Sequence, residues 1–113
     1  MQEPKTLYGK YVLEREGRRI IEEDGGFATF ITDGELCYIV DMFVDLTKRY
    51  RGLGTKMADE ISGIARDEGC KWLFATVDPT LASSTMSMQS ILVYGFTLSH
   101  IKPPLIFFKK KLG

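Results

Sequence analysis

Hydrophobic positions along the chain recur with two different periods, which separate segments of helical character from segments of extended character. In chain order the predicted elements are a helix over Leu7–Glu16, strands over Arg18–Glu23, Phe27–Thr32 and Leu36–Val44, a helix over Gly52–Glu68, a strand over Lys71–Val77, a helix from Ser83 or Ser84 to about Tyr94, and strands over Phe96–Ser99 and Leu105–Lys109. Residues 1–6 are expected to be a loose end. For Leu7–Glu16 a strand remains the competing interpretation, because apolar and charged residues are mixed there.

The order of these segments predicts a meander followed by a strand–helix–strand unit. Asp24-Gly25-Gly26 and Asp33-Gly34 are turn signals, so the first three strands should pair antiparallel. Lys71–Val77 is almost continuously apolar, as a parallel strand covered on both faces requires. The amphipathic helix before it should therefore form a right-handed crossover from the third strand, and Gly69 should end that helix in a left-handed conformation.

Composition narrows the class of protein. A chain of 113 residues suits one small domain, residues 1–113, with one core. Lys+Arg and Asp+Glu both total 15, so there is no global attraction to nucleic acid or to an anionic membrane. The sequence has no long apolar segment or secretion signal, and Cys37 and Cys70 resemble buried thiols in a reducing compartment, without metal-binding spacing. A cytoplasmic location without metal, membrane or nucleic-acid partner is expected.

The stretch from Asp41 to Thr55 carries the candidate chemistry. It has the pattern of a strand end, a glycine-bearing turn and a helix start, and a helix start exposes N–H groups and partial positive charge. Gly52 and Gly54 allow the backbone to approach an anion closely, and Arg49 and Arg51 add fixed charge. The interpretation is a seat for a phosphate or pyrophosphate. The alternative is an ordinary glycine turn with solvated arginines.

The same turn carries a resemblance to a known family. Arg49-Tyr50-Arg51-Gly52-Leu53-Gly54 matches the pattern Gln/Arg-x-x-Gly-x-Gly/Ala of the GNAT superfamily of acyl-CoA-dependent N-acetyltransferases. It follows the strand Ile39 to Val44 and precedes an amphipathic helix and an apolar strand. The later Gly95-Phe96 is similar to the Gly-Phe that closes a second family motif. The chain thus resembles a short member of this superfamily over roughly residues 18–110.

The resemblance implies an α/β (α+β) fold with a mixed, mostly antiparallel central sheet, helices on both faces, and a central parallel pair splayed for acyl-CoA. It implies acetyl-CoA or coenzyme A as cosubstrate and direct attack by a primary amine. The pyrophosphate would lie on the amides of Arg49 to Thr55, and the pantetheine between Met42–Val44 and Thr76–Asp78. The implied binding residues around the turn are Met42, Phe43, Val44, Arg49, Tyr50, Arg51, Gly52, Leu53, Gly54 and Thr55.

The helix before Gly95-Phe96 departs from the family's pattern. Aligned on that dipeptide, the family's Asn, Ala and Tyr fall on Ser84, Ser87 and Ile91. Ile91 cannot protonate the leaving thiolate, so Tyr94 is the candidate acid, and Ser84 or Ser87 could supply a hydroxyl to the ligand. The N-terminal part also has room for one helix where the family usually has two. The acceptor site could then be open, or completed by a second subunit in a homodimer.

Asp41 is the one charged residue in the apolar run Leu36 to Val44, and a buried carboxylate needs a partner. It is either a general base or acceptor-site anchor, or a sheet-rim residue paired to an arginine. Trp72 and Phe74 are interpreted as core residues, and His100 as a loop residue. The sequence therefore predicts an N-acetyltransferase for a small or protein-borne amine. The alternatives are a CoA-binding module without transfer activity and an interaction protein without a small ligand.

Overall fold

The structure, a computed structural model, describes residues 3–81 and 84–113, and the side chains of residues 84–87 lie outside that description. The elements are helices α1 (Leu7–Glu16), α2 (Leu53–Asp67) and α3 (Ser84–Tyr94), and strands β1 (Arg19–Glu23), β2 (Gly26–Asp33), β3 (Leu36–Val44), β4 (Trp72–Val77), β5 (Thr97–Lys102) and β6 (Leu105–Lys111). The predicted order is confirmed, and α1 is a helix rather than a strand. β5 is longer than predicted, so His100 lies in a strand and not in a loop.

The strands form a six-stranded sheet in the order β1-β2-β3-β4-β6-β5. β1, β2 and β3 pair antiparallel as a meander, and β3 pairs parallel with β4 through the α2 crossover. The last strand, β6, lies between β4 and β5 and is antiparallel to both. The predicted fold class, a mostly antiparallel sheet with one central parallel pair, is confirmed.

Local signals at the helix ends explain the positions of α1 and α2. The Thr6 hydroxyl accepts a hydrogen bond from the Gly9 N–H and so caps α1, which ends at Gly17 in a left-handed conformation. Gly69, after α2, is also left-handed with φ 88°, as predicted, and the Cys70 N–H donates to the Ala65 carbonyl. These caps satisfy backbone groups that have no partner within the helices.

The helices divide the sheet into two faces. α2 and α3 pack on one face, called here the α2 face, and close the main core. The buried residues of that core are Ile21, Ala28, Phe30, Cys37, Ile39, Met57, Ile61, Ala65, Cys70, Leu73, Ala75, Val77, Phe96, Phe108 and Leu112. α1 covers the opposite face, called the α1 face, at β1 and β2, where the Tyr8 ring packs 5.2 Å from the Phe27 ring. None of the described helices has the length and apolar character needed to cross a membrane.

β4 is covered on one face only, so the prediction that both its faces are buried is wrong. Leu73, Ala75 and Val77 are buried under α2 and α3, whereas Trp72 and Phe74 on the α1 face are only partly buried. The reason is the position of α1, which packs mainly against β1. Within residues 3–81 and 84–113, no other helix covers this side of β4.

Candidate functional site

The two parallel strands separate at the centre of the sheet. They pair from Leu36–Trp72 to Ile39–Ala75, and beyond that point β3 and β4 are no longer partners. A bulge in β3 lies where they part. Ile39 pairs with Phe30, and Asp41 pairs with the preceding residue of β2, so Val40 has no residue opposite it. A bulge bends its strand and increases its twist, which turns β3 away from β4 and opens a fork.

A cleft of about 610 Å³ occupies this fork, within the usual volume range of small-molecule sites. Its walls come from the diverging strand ends, the start of α2 and the end of α3. The predicted site residues that line the cleft are Asp41, Met42, Phe43, Val44, Arg49, Tyr50, Gly52, Leu53, Gly54, Thr55 and Tyr94. Arg51 is not among the lining residues. The side chains of Ser84 and Ser87 lie outside the described residues.

The chain enters α2 at the mouth of the cleft through a turn with two left-handed residues. Tyr50 has φ 64° and Gly52, directly before the helix, has φ 79°. The helical hydrogen bonds begin at Lys56, whose N–H donates to the Gly52 carbonyl at 2.9 Å. Gly52 has no side chain that could cap the helix. The amides of residues 53–55 have no acceptor within the helix, because they precede its first hydrogen bond. These residues line the cleft, which makes its mouth electrostatically positive.

The two arginines of the turn differ in their surroundings. The Arg49 Nε donates to the Val44 carbonyl at 2.9 Å, and its guanidinium lies 6.0 Å from the centre of the Phe43 ring. Arg49 therefore fastens the turn to the end of β3. Arg51 is exposed, and among the described residues its side chain makes no ion pair. The sequence predicts that both arginines attract an anion. In the structure Arg49 is hydrogen-bonded to the protein, whereas the guanidinium of Arg51 makes no ion pair with the described residues.

Asp41 is exposed at the surface of the sheet. Its side chain is 59% exposed, and its Oδ2 lies 2.7 Å from the Nη1 of Arg18. Strict alternation would put Asp41 on the face of Ile39, but the extra residue of the bulge moves it to the α1 face. Arg18 also contacts the Glu16 carboxylate and donates to the Thr29 hydroxyl at 3.2 Å. An arginine partner at the sheet rim was the alternative considered, although no sequence signal identified Arg18.

Tyr94 lines the cleft with its hydroxyl held against α2. The hydroxyl donates to the Asp59 Oδ1 at 2.7 Å and lies 3.3 Å from the Ser62 Oγ. Burial, followed by the Asp59 carboxylate, raises the pKa of Tyr94, so the phenol keeps its proton at neutral pH. The sequence missed Asp59 and Ser62. Both face Tyr94 from α2 at positions one turn apart, but pairing them with α3 requires the tertiary structure.

Metal ligation and thiol chemistry have little support in this region. The described part of the chain contains no group of three or more His, Cys, Asp or Glu residues that could hold a metal ion. Cys37 and Cys70 are both buried free thiols. Burial raises the pKa of Cys37 to about 12, which leaves its thiol protonated and unreactive at neutral pH.

Comparisons with known proteins agree with this geometry. Residues 2–85 match the sequence model of the Acetyltransferase (GNAT) family. A search of curated proteins found no match. Among solved structures, a GNAT family protein from Desulfovibrio desulfuricans aligns with TM-score 0.77 and 15% identity, over 92% of this chain and 76% of that one.

Two further structures were solved with the cofactor. PaiA N-acetyltransferase from Thermoplasma acidophilum, in complex with coenzyme A, aligns with TM-score 0.75 and 13% identity, over 93% of this chain and 69% of that one. YncA from Salmonella typhimurium, with its cofactor acetyl-CoA, aligns with TM-score 0.65 and 20% identity, over 91% of this chain and 69% of that one. The TM-scores show that these proteins share the fold of this chain, and at identities this low the comparison shows the fold alone.

Proposed function

The chain belongs to the acetyltransferase (GNAT) family, and from that membership we propose that it binds acetyl-CoA in the fork cleft and transfers the acetyl group to a primary amine. The fold supports acyl-CoA-dependent acetyl transfer in general. The observation that carries the proposal for this chain is the fork itself. A cleft of about 610 Å³ opens between two central strands, and a helix start whose first amides have no acceptor within the helix lies at its mouth.

The helix start would bind the pyrophosphate of the cofactor. The amides of residues 53–55 have no acceptor in α2, and Gly52 has open space where a side chain would be. Anions bind at such positions because N–H groups and the positive end of the helix dipole face the ligand. Arg51 would add a screened positive charge from solvent, whereas Arg49 would keep the turn in place through its bond to the Val44 carbonyl.

The separated strands would hold the pantetheine arm. Beyond Ile39, the edge of β3 that faces β4 has no strand partner, and residues 42–44 and 76–78 line the cleft from its two sides. The amides of a pantetheine arm can pair with such an edge as an added strand would. This arrangement would direct the thioester toward the point where the strands part, beside Val40 and Asp41.

The reaction would proceed by direct attack of the amine. The amine nitrogen forms a bond to the thioester carbonyl carbon, the C–S bond breaks, and the amine loses a proton while the thiolate of CoA gains one. Proximity of the two substrates would contribute to the rate, and backbone N–H groups at the bulge are candidates for stabilising the oxyanion.

Two side chains are candidates for moving the protons. Asp41, kept in place by Arg18, would accept the amine proton directly or through water. Tyr94, whose pKa is raised by burial and by Asp59, would give its proton to the thiolate and recover one from solvent. Its hydroxyl would have to exchange its bond to Asp59 for the thiolate during that step.

Calorimetry and turnover together test this function. Coenzyme A and acetyl-CoA are titrated into the full chain, and a panel of primary amines is then tested with detection of the free thiol. Binding together with amine-dependent thiol release is the expected result. Binding without release for any amine would make the chain a CoA-binding module, and no binding at millimolar ligand would overturn the proposal in favour of an interaction protein.

A further inference from the structure

Four aromatic side chains lie together on the α1 face beside the fork. They are Tyr38 of β3, Phe74 of β4, Phe107 of β6 and His100 of β5, and they are called here the aromatic surface. The Tyr38 and Phe74 rings stack with centroids 5.4 Å apart, and the His100 and Phe107 rings stack at 4.4 Å and 12°. The sequence predicts core positions for such aromatics and a loop position for His100, so it does not predict this surface.

The strand register fixes where this surface lies relative to the reaction point. Tyr38 and Phe74 are partners in the last part of the β3–β4 pairing, directly behind the fork. Phe107 is the partner of Thr76, the first residue of β4 after that pairing ends, and His100 is the partner of Phe107. The two stacked pairs therefore flank Thr76, and Asp41 lies across the fork from it on the same face.

The aromatic surface is open to solvent where a core would be covered. His100 and Thr76 are exposed, and the three other rings are only partly buried. α1 packs mainly against β1, and in the described ranges no helix covers β3, β4, β5 or β6 on this side. Neighbouring aromatic pairs that remain partly exposed beside a ligand cleft are typical of a binding surface.

The cleft is accessible from this face. α2 and α3 close it on the other side of the sheet, through residues such as Leu53, Ala58 and Ile91. Asp41 and Thr76 also line the cleft, and the register puts both on the α1 face. A second substrate that reaches the thioester can therefore come across the aromatic surface.

Charge around the surface limits the acceptor further. The carboxylate of Asp41 is exposed at the fork and attracts an ammonium group. Lys109 is the partner of Phe74 on the same face, and its Nζ lies 5.2 Å from the centre of the Trp72 ring. A second positive charge on the acceptor would be repelled there, which disfavours a polyamine and favours an uncharged group.

From this arrangement we propose that the acceptor is a small primary alkylamine that carries an aromatic ring. The ring stacks on the aromatic surface while the amine lies at the fork near Asp41. This inference rests on the proposed acetyl transfer and adds the class of acceptor. Aromatic stacking contributes beyond the area it buries, so a ring should be preferred over a saturated ring of similar size by about 3- to 10-fold in kcat/KM.

The test compares phenethylamine with cyclohexylethylamine in the acetyl-CoA turnover assay. In the unmodified chain kcat/KM should be about 3- to 10-fold higher for phenethylamine than for cyclohexylethylamine. This ratio should fall toward one in Phe74→Leu and Phe107→Leu. Tyr11→Leu is the matched control, because Tyr11 is an aromatic of α1 that is 54% exposed and outside the surface. Acetyl-CoA affinity, measured by calorimetry, should be unchanged in all three variants, which separates acceptor binding from cofactor binding.

Each other outcome has a defined meaning. If acetyl-CoA does not bind to the unmodified chain, the proposed function itself fails. If transfer occurs with equal kcat/KM for the two amines, or with preference for a polyamine, the inference is overturned and the function stands. If CoA binds but no amine reacts, phenethylamine is titrated into the CoA complex, and absence of binding overturns the inference. A dimer in sedimentation that Phe74→Glu dissociates would assign the surface to a second copy instead.

Discussion

Replacing Gly52 with leucine is expected to abolish coenzyme A binding without preventing folding. Gly52 is left-handed, with φ 79°, and directly precedes the α2 amides that we propose bind the pyrophosphate. Gly69 provides a matched control because it is left-handed with φ 88° at the other end of the same helix. At both positions an added Cβ would have no atom within 4 Å, so both substitutions strain the backbone without a clash.

The magnitudes differ between stability and binding. A residue other than glycine in the left-handed region costs about 1–2 kcal/mol, which for a chain of this length lowers Tm by about 4–8 °C. Both variants should show this loss. The Gly52→Leu side chain would also extend into the cleft mouth and separate the anion from the amides. Loss of two hydrogen bonds to a charged group, at about 1.5–3 kcal/mol each, lowers affinity by at least about 100-fold.

Thermal unfolding and calorimetry with coenzyme A measure the two effects separately. Gly69→Leu should bind coenzyme A as tightly as the unmodified chain, and Gly52→Leu should not bind it measurably. Pantetheine, which lacks the pyrophosphate, is a second probe whose affinity should be the same in both variants. Equal coenzyme A affinity in the two variants would refute the proposal that the amides at the start of α2 bind the pyrophosphate. Equal loss of pantetheine and coenzyme A binding in Gly52→Leu would mean that the substitution changes the shape of the cleft.

Three further expectations concern individual side chains. Arg51→Ala should weaken coenzyme A binding by about two- to fivefold at unchanged Tm, because its exposed charge is screened by solvent, whereas Arg49→Ala, which loses the hydrogen bond to the Val44 carbonyl, should lower Tm. Hydrogen bonding from Arg19 lowers the pKa of Glu68 in the folded chain. The stability that this ion pair adds is therefore present above about pH 4.5 and is lost as the pH falls through the lower folded pKa. Glu68→Gln should make the free energy of unfolding depend less on pH in this acidic range. Cys37, whose pKa is raised to about 12, should resist iodoacetamide in the native chain and react after unfolding, as mass spectrometry would detect.

The order of the elements was predictable because each has a local cause. Glycine-bearing turns separate the first three strands, and the amphipathic helix with its terminal Gly69 has a period that only a helix satisfies. The position of β6 was not predictable in this way. Its pairing with β5, the preceding strand in the chain, is a local one, but its place beside β4 is selected by pairing across the sheet, and a short apolar strand carries no signal for such a partner.

The surroundings of the site were harder to predict because they depend on what covers each strand. Continuous apolar character in β4 predicts burial on both faces, yet Trp72 and Phe74 lie beyond the reach of α1. Apolar composition limits where a residue can be stable, but does not say which face receives a helix. The Arg18 partner of Asp41 was missed for the same reason, since it comes from the start of the meander, 23 positions earlier.

The bulge at Val40 connects the features on which the proposed chemistry depends. Without the extra residue, alternation would carry Asp41 onto the α2 face with Cys37 and Ile39, inside the core. With it, Asp41 faces Arg18 on the α1 face, while Met42 and Val44 turn toward α2 and the cleft. One inserted residue thus parts the strands where we propose that the cofactor binds, and it also presents a carboxylate on the face that carries the aromatic surface. Cofactor and acceptor would meet there because the sheet changes its register at that point.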